Sequence, residues 1–173
     1  KWEGVLERLL HSFAQELYVP SDLYPMVSQY VNQNNLHGRL VYQQVNLAHP
    51  PHVKRKQQDA DTEQKMVYRK LSIQPDTPFR DWLISSLIRK FDYVCCDTLE
   101  DFHKADRAIT PQGQIKHNRT RHEKDDRRKL NDRRNYVLGW DNRAKLAQLE
   151  TELDNLTRDL EKLADNMKTI DTQ

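Results

Sequence analysis

Residues 146–170 read LAQLETELDNLTRDLEKLADNMKTI. The apolar positions are Leu146, Leu149, Leu153, Leu156, Leu160, Leu163, Met167 and Ile170, at spacings that alternate between three and four without a break. This is a heptad seam sustained over about four repeats. Nearly everything between the seam positions is polar or charged, so a helix here carries one narrow apolar stripe. A stripe of that width asks for a partner helix rather than a globular core, and the segment is expected to be a coiled-coil arm. Asp141 or Asn142 is positioned to supply its N-cap. The chain then divides into a body, residues 1–140, and the start of an arm, residues 141–173.

The body is long enough for one small core. Charged residues make up 31% of the 173, yet the net charge is only +2, so the chain as a whole is not a polycation. The charge is unevenly placed. Residues 116–134 hold nine Lys and Arg against four Asp and Glu, whereas 141–173 hold five against eight. No apolar run is long enough to span a membrane and no signal-peptide pattern is present. The adjacent pair Cys95-Cys96 cannot form an ordinary structural staple, which fits a reducing cytoplasm. The chain opens at Lys1 directly in an amphipathic pattern, as a piece of a longer polypeptide would.

Along the body, Trp2, Val5, Leu6, Leu9, Leu10 and Phe13 fall on one helical face. Residues 16–19 read as a short strand stopped by Pro20. Ser21 is expected to cap a second helix with Pro25 in its first turn and Met26, Val27, Tyr30 and Val31 inward. Residues 39–45 (RLVYQQV) read as a strand. Residues 46–64, with Pro50-Pro51 and the Lys54-Arg55-Lys56 cluster, read as a polar surface loop. A third strand is expected at 67–73. A helix capped by Thr77 follows, with Pro78 at its first position and Phe79, Trp82, Leu83, Ile84 and Leu87 on its buried side. Residues 93–96 read as a short strand, and Thr98 caps a brief helix over 99–104. Thr110-Pro111-Gln112-Gly113 is a turn between two extended pieces. Residues 136–140 (YVLGW) read as a last strand or tight turn. Gly38 and Gly113 are read as turn glycines. Strands and short helices alternate twice over, so the fold class is α+β (α/β-like) with two pseudo-repeated halves.

That order, and the residues that carry it, resemble the hinge domain of SMC-type ATPases. WEGVLERLLHSFAQELYVP (2–20) and VSQYVNQNNLHGRLVYQQV (27–45) are similar to the first half of such a hinge, with Gly38-Arg39 opening its second strand. RDWLISSLIRKFDYVCCDTLEDFHKA (80–105) and AITPQGQIK (108–116) are similar to the second half, with Gly113 as the hairpin glycine. WEGVLERLL, GRLVY, FDYVCCDTLEDF, RHEKDDRR and YVLGWDN together resemble the MukB-like ATPases of Wadjet-type plasmid defence, the JetC subunit. The resemblance implies a non-catalytic homodimerisation hinge in a bacterial, cytoplasmic, nucleic-acid-associated, DNA-translocating ATPase whose heads lie elsewhere, where kleisin and other subunits also bind. It implies that the arm pairs with an antiparallel helix of the same polypeptide, leaving the seam under-satisfied here. The hinge of a MukB-like chromosome-condensation ATPase is the neighbouring alternative. The glycine-rich close of ordinary hinges is missing. The basic stretch 116–134 stands in its place, so dimer contacts carried by those glycines do not transfer.

The chemistry available to the chain is limited. No G-x-x-x-x-G-K-[ST] loop is present to cradle phosphates, and no C-x-x-C for a zinc hook. No cofactor is expected. His117, His122, Glu123, Asp125 and Asp126 have the side chains of a metal-dependent nuclease, but at no ligand spacing and among arginines that oppose a bound cation. Lys116, Arg119, Arg121, Lys124, Arg127, Arg128, Lys129, Arg133 and Arg134 present the better reading, a positive surface for double-stranded DNA phosphates. The rival reading pairs them with Glu123, Asp125, Asp126 and Asp132, as charge runs on solvated surfaces commonly do. Few aromatics interleave, so single-strand stacking is not favoured. Trp2 and Trp140 are expected where body and arms meet, and Cys95-Cys96 as buried strand residues with no thiol-activating neighbour.

Overall fold

The computed structural model describes residues 1–53, 59–139 and 143–171. The Lys54-Arg55-Lys56 cluster, Trp140 and the expected cap residues Asp141 and Asn142 lie outside the described residues. The chain forms two compact units, one made of Lys1–Asp132 with Tyr136–Leu138, the other of the arm helix with Arg133–Asn135. The short helical turn Arg133–Asn135 thus groups with the arm rather than with the body.

In the body, α1 (Glu3–Ala14), β1 (Leu17–Pro20), α2 (Tyr24–Gln33) and β2 (Tyr42–Val45) come first. β1 and β2 pair in parallel, Leu17 against Tyr42 through Pro20 against Val45. After the five-residue α3 (Ala60–Gln64), the same order returns as α4 (Arg80–Lys90), β3 (Val94–Cys95), α5 (Leu99–Lys104) and β4 (Ala108–Ile109). β3 and β4 again pair in parallel. A helix leading into two parallel strands joined across a second helix thus occurs twice, as the alternating pattern predicts. The second half goes further. β5 (Gln114–Lys116) and β6 (His122–Lys124) extend its sheet antiparallel, in the order β3-β4-β5-β6.

One shared core explains why the halves stay together. Val5 and Leu6 of α1 pack with Val67, Tyr93, Cys95, Ile109 and Ile115. One turn later Leu10 and Phe13 meet Leu87 of α4. An aromatic chain continues that contact: Phe13 lies 5.3 Å from Phe91 and 5.5 Å from Tyr18, and Tyr18 lies 4.7 Å from Trp82 (ring centroids). α1 therefore presents one apolar stripe to both halves, which is what its i, i+3, i+4 spacing requires. Phe102, fully buried, seats α5 against Cys96 and Ala108.

Several local expectations are corrected. The strand at 67–73 is absent; Met66 bridges Val94, and Val67–Lys70 then winds into a 3₁₀ turn. Met66 and Val67 are both buried, which a strand alternating between core and solvent would not allow. Ser21 does not cap α2; its hydroxyl donates to the Val45 carbonyl at 3.1 Å. Met26 and Tyr30 point outward, not inward, and α2 has no buried residue at all. α4 begins at Arg80 because Thr77 closes a turn first, its carbonyl accepting from the Arg80 N–H. The 46–64 loop holds a helical turn at its end, α3, capped by Asp59 Oδ1 on the Thr62 N–H at 2.9 Å. Residues 136–139 form no strand. Gly113 has φ +86°, the left-handed value its hairpin needs, whereas at the other turn the positive φ falls on His37 and not on Gly38. The cap of α5 is as read: Thr98 Oγ accepts from the Asp101 N–H.

The arm is α6 (Arg143–Asp171), a single helix of 29 residues. Its seam residues from Leu146 to Met167 are exposed, Leu160 to 67%. The side chain of Ile170 lies outside the described residues. No helix among the described residues is long and apolar enough to cross a membrane.

Candidate nucleic-acid interface

The basic stretch is built on β6 and the loops that flank it. β6 is the edge of the four-stranded sheet, and all three of its residues are exposed. Asn118 shapes the preceding turn, its carboxamide oxygen accepting from the Thr120 and Arg121 N–H groups at 2.9 and 2.8 Å. Beyond β6, Leu130 packs against the core formed with α1, and Arg8 of α1 donates to the Arg128 carbonyl at 3.0 Å. The stretch is thus anchored at both ends and exposed between them.

The nine candidate cations do not share one fate. Lys116 is only 5% exposed; its ammonium donates to the Phe102 and His103 carbonyls at 3.2 and 2.9 Å. Those are last-turn carbonyls of α5, so Lys116 neutralises a helix C-terminus and is not offered to a phosphate. Arg119 pairs with Asp106 at 2.9 Å. Lys124 pairs with Asp126, and Arg127 grips Asp125 through Nε and Nη2 at 2.9 and 2.8 Å. That grip holds the Asp125 carboxyl far below the usual carboxylate range. Arg134, in the second unit, pairs with Glu152 of the arm at 2.8 Å. Arg128 and Arg133 also have partners within the chain. Arg121 and Lys129 are exposed and have no ion pair among the described residues.

Pairing within the stretch therefore holds for Asp125 with Arg127 and for Asp126 with Lys124. Exposed pairs of this kind are screened by solvent and individually weak, so a phosphate can replace the carboxylate at little cost. The expected positive face is real in composition but smaller than nine cations.

The His and Asp cluster takes another form. His117 Nδ1 lies 2.9 Å from the Tyr93 hydroxyl, and His117 Nε2 lies 2.9 Å from Glu123 Oε2. The antiparallel register sets this up by placing Glu123 opposite Ile115, two residues from His117. Tyr93 is buried, with the Arg107 guanidinium stacked 4.0 Å above its ring. His122 instead leans toward Phe102, its ring centroid 6.1 Å away. Asp125 and Asp126 are held by Arg127 and Lys124. Among the described residues no three His, Cys, Asp or Glu side chains converge to hold a metal ion.

Tyr93 and Arg8 are the residues that motif reading misses. Neither sits in the charged run, and only the fold brings them to it. A cleft of about 390 Å³ lies beside α5, lined by Asp61, Lys65, Asp92, Asp101, Lys104 and Arg107 among others. Two ion pairs lie within its walls, Lys65 with Asp61 and Arg107 with Asp92, while Lys104 pairs outward with Glu100. Searches against family models, curated proteins and solved structures return no match for this chain.

Proposed function

We propose that this chain is a homodimerisation hinge of an SMC-family ATPase, with the JetC-like subunit of an anti-plasmid complex as the specific reading. What carries the proposal is the duplicated order of helix, strand, helix and parallel strand, followed by a long heptad helix. A body of two small open sheets suits a module whose work is to join copies, because unpaired strand edges are surfaces on which chains meet. In this reading the domain does no chemistry of its own, ATP is hydrolysed at heads borne elsewhere on the polypeptide, and the complex works in the cytoplasm. Exposed cations along 119–129 lend themselves to contact with duplex DNA.

Electron microscopy of the intact polypeptide that contains this chain tests the hinge. Two rods meeting at a central globule are expected, and a globule with a single rod would overturn the reading. A second reading, an adaptor that dimerises through its arm alone, is favoured by the exposed seam of α6. Leu156→Asp with Leu160→Asp separates the two. The hinge keeps its dimer mass in sedimentation, and the adaptor becomes a monomer.

A further inference from the structure

Residues 23–53 contain a single Asp, Glu, Lys or Arg, namely Arg39, in a chain that is 31% charged. Nearly all of this stretch lies at the surface, where charge is ordinarily densest. α2 lies at its start, ten residues long, with no charged side chain and no buried one. Its half-covered side rests on the small sheet, the Tyr24 ring 6.0 Å from that of Tyr42. Its other side carries Leu23, Met26 and Tyr30, at i, i+3 and i+7, exposed to 45%, 63% and 60%. Leu40 and Val41, on the approach to β2, are exposed as well.

A solvent-facing helix normally sets polar, charged residues opposite its apolar stripe. α2 does the reverse, with its apolar stripe outward and no charge on either side. Depletion of charge together with Tyr and Met is the composition of the centre of a protein interface. Nucleic acid does not fit, since the helix offers no cation to a phosphate. The absence of charge also selects among protein partners. Across a two-fold axis a patch meets itself, so any charge near the axis would face its own like charge. A charge-free patch escapes that repulsion, and a second copy of this chain is the occupant it suits.

We infer that α2 is the surface through which two copies associate, packing against its counterpart around Met26 and Tyr30. The inference rests on the homodimer reading above and names α2, rather than the open strand edges, as the face it uses. Sedimentation equilibrium on the whole chain, with circular dichroism alongside, tests it. Met26→Glu with Tyr30→Glu is expected to lower the dimer mass two-fold while the helical signal stays, because both side chains are exposed. Met26→Glu and Met26→Lys chains, each shifted toward monomer alone, are expected to recover the dimer when mixed. A dimer mass indifferent to the α2 substitutions overturns the surface and leaves the homodimer standing. Two variants that lower the mass but fail to pair with each other overturn it too. A wild-type chain that is monomeric throughout removes the homodimer reading itself.

Discussion

Glu7 holds the backbone of Leu138, 131 residues away in sequence, through both carboxylate oxygens: the Leu138 N–H donates to Oε1 at 3.2 Å and to Oε2 at 3.0 Å. The Val137 N–H donates to Oε2 at 2.7 Å. Glu7 is 6% exposed on the inward face of α1, and these amides are what satisfy it there. A buried carboxylate with neighbours of this kind fixes where the chain returns to the body after the basic stretch. Removing it strands two amide donors. Glu7→Ala is expected to lower unfolding stability by roughly 1–3 kcal/mol. Glu7→Gln keeps the shape and one accepting oxygen, so it should lose less. Urea titration of both variants checks the order.

Gly4 gives a prediction whose sign runs against helix propensity. Alanine in place of glycine inside a helix ordinarily stabilises by about 1 kcal/mol. A Cβ on Gly4 would lie 2.3 Å from the Leu130 carbonyl oxygen, and a backbone atom cannot swing away as a side-chain tip does. Either α1 or the segment at Leu130 must move. Gly4→Ala is therefore expected to destabilise, by roughly 1–3 kcal/mol, as overpacked sites do. A rise in thermal midpoint for this variant would contradict the close approach.

The two cysteines make a pH prediction. Burial pushes the Cys95 thiol up to about 12 and the Cys96 thiol up to about 11. Both are therefore neutral thiols at pH 8 and should resist a thiol-specific reagent until the chain is unfolded. The linkage follows in sign. The unfolded thiols ionise near 9 while the folded ones do not, so the unfolded chain sheds protons first as pH rises. Their contribution is fully present below pH 9 and is lost as pH climbs toward 11–12. Denaturant midpoints measured at pH 8 and pH 10.5 should fall at the higher pH, and replacing both cysteines by Ala should reduce that fall.

What can be read from the sequence follows from how far each signal reaches. The arm is legible because a heptad seam repeats within one helix and needs no outside information. The twofold alternation of helices and strands is legible for the same reason, as are the Thr98 cap and the Gly113 hairpin, whose causes lie within a few residues. Periodicity shows that α2 has an apolar face, but not that the small β1–β2 sheet leaves this face uncovered. Hence the inward orientation expected of Met26 and Tyr30 is reversed in the fold. Lys116 reads as one of a charged run because only strand alternation within the folded sheet aims it at the carbonyls of α5. Glu7 and Gly4 are invisible for a stronger reason. Each interrupts an apolar stripe, and each makes sense only once residues 130–138 have come back to meet α1.

The candidate DNA surface makes a graded prediction, because its cations differ in what already holds them. Arg121 and Lys129 are exposed without an ion pair among the described residues, so a phosphate meets no competing carboxylate there. Arg127 must exchange Asp125 for the phosphate, and Lys116 is committed to α5. Each cation that no longer neutralises a phosphate should lower the slope of log K against log salt by about 0.9 for duplex DNA. Arg121→Gln with Lys129→Gln is therefore expected to reduce the slope by up to about 1.8, Arg127→Gln by less than a single phosphate's share, and Lys116→Met by nothing measurable. Titrating a labelled duplex at several salt concentrations with the parent and the three variants reads these slopes. If the Arg121 and Lys129 variant binds with the parent's affinity and slope, the basic stretch is not a DNA surface and its charges serve the fold alone.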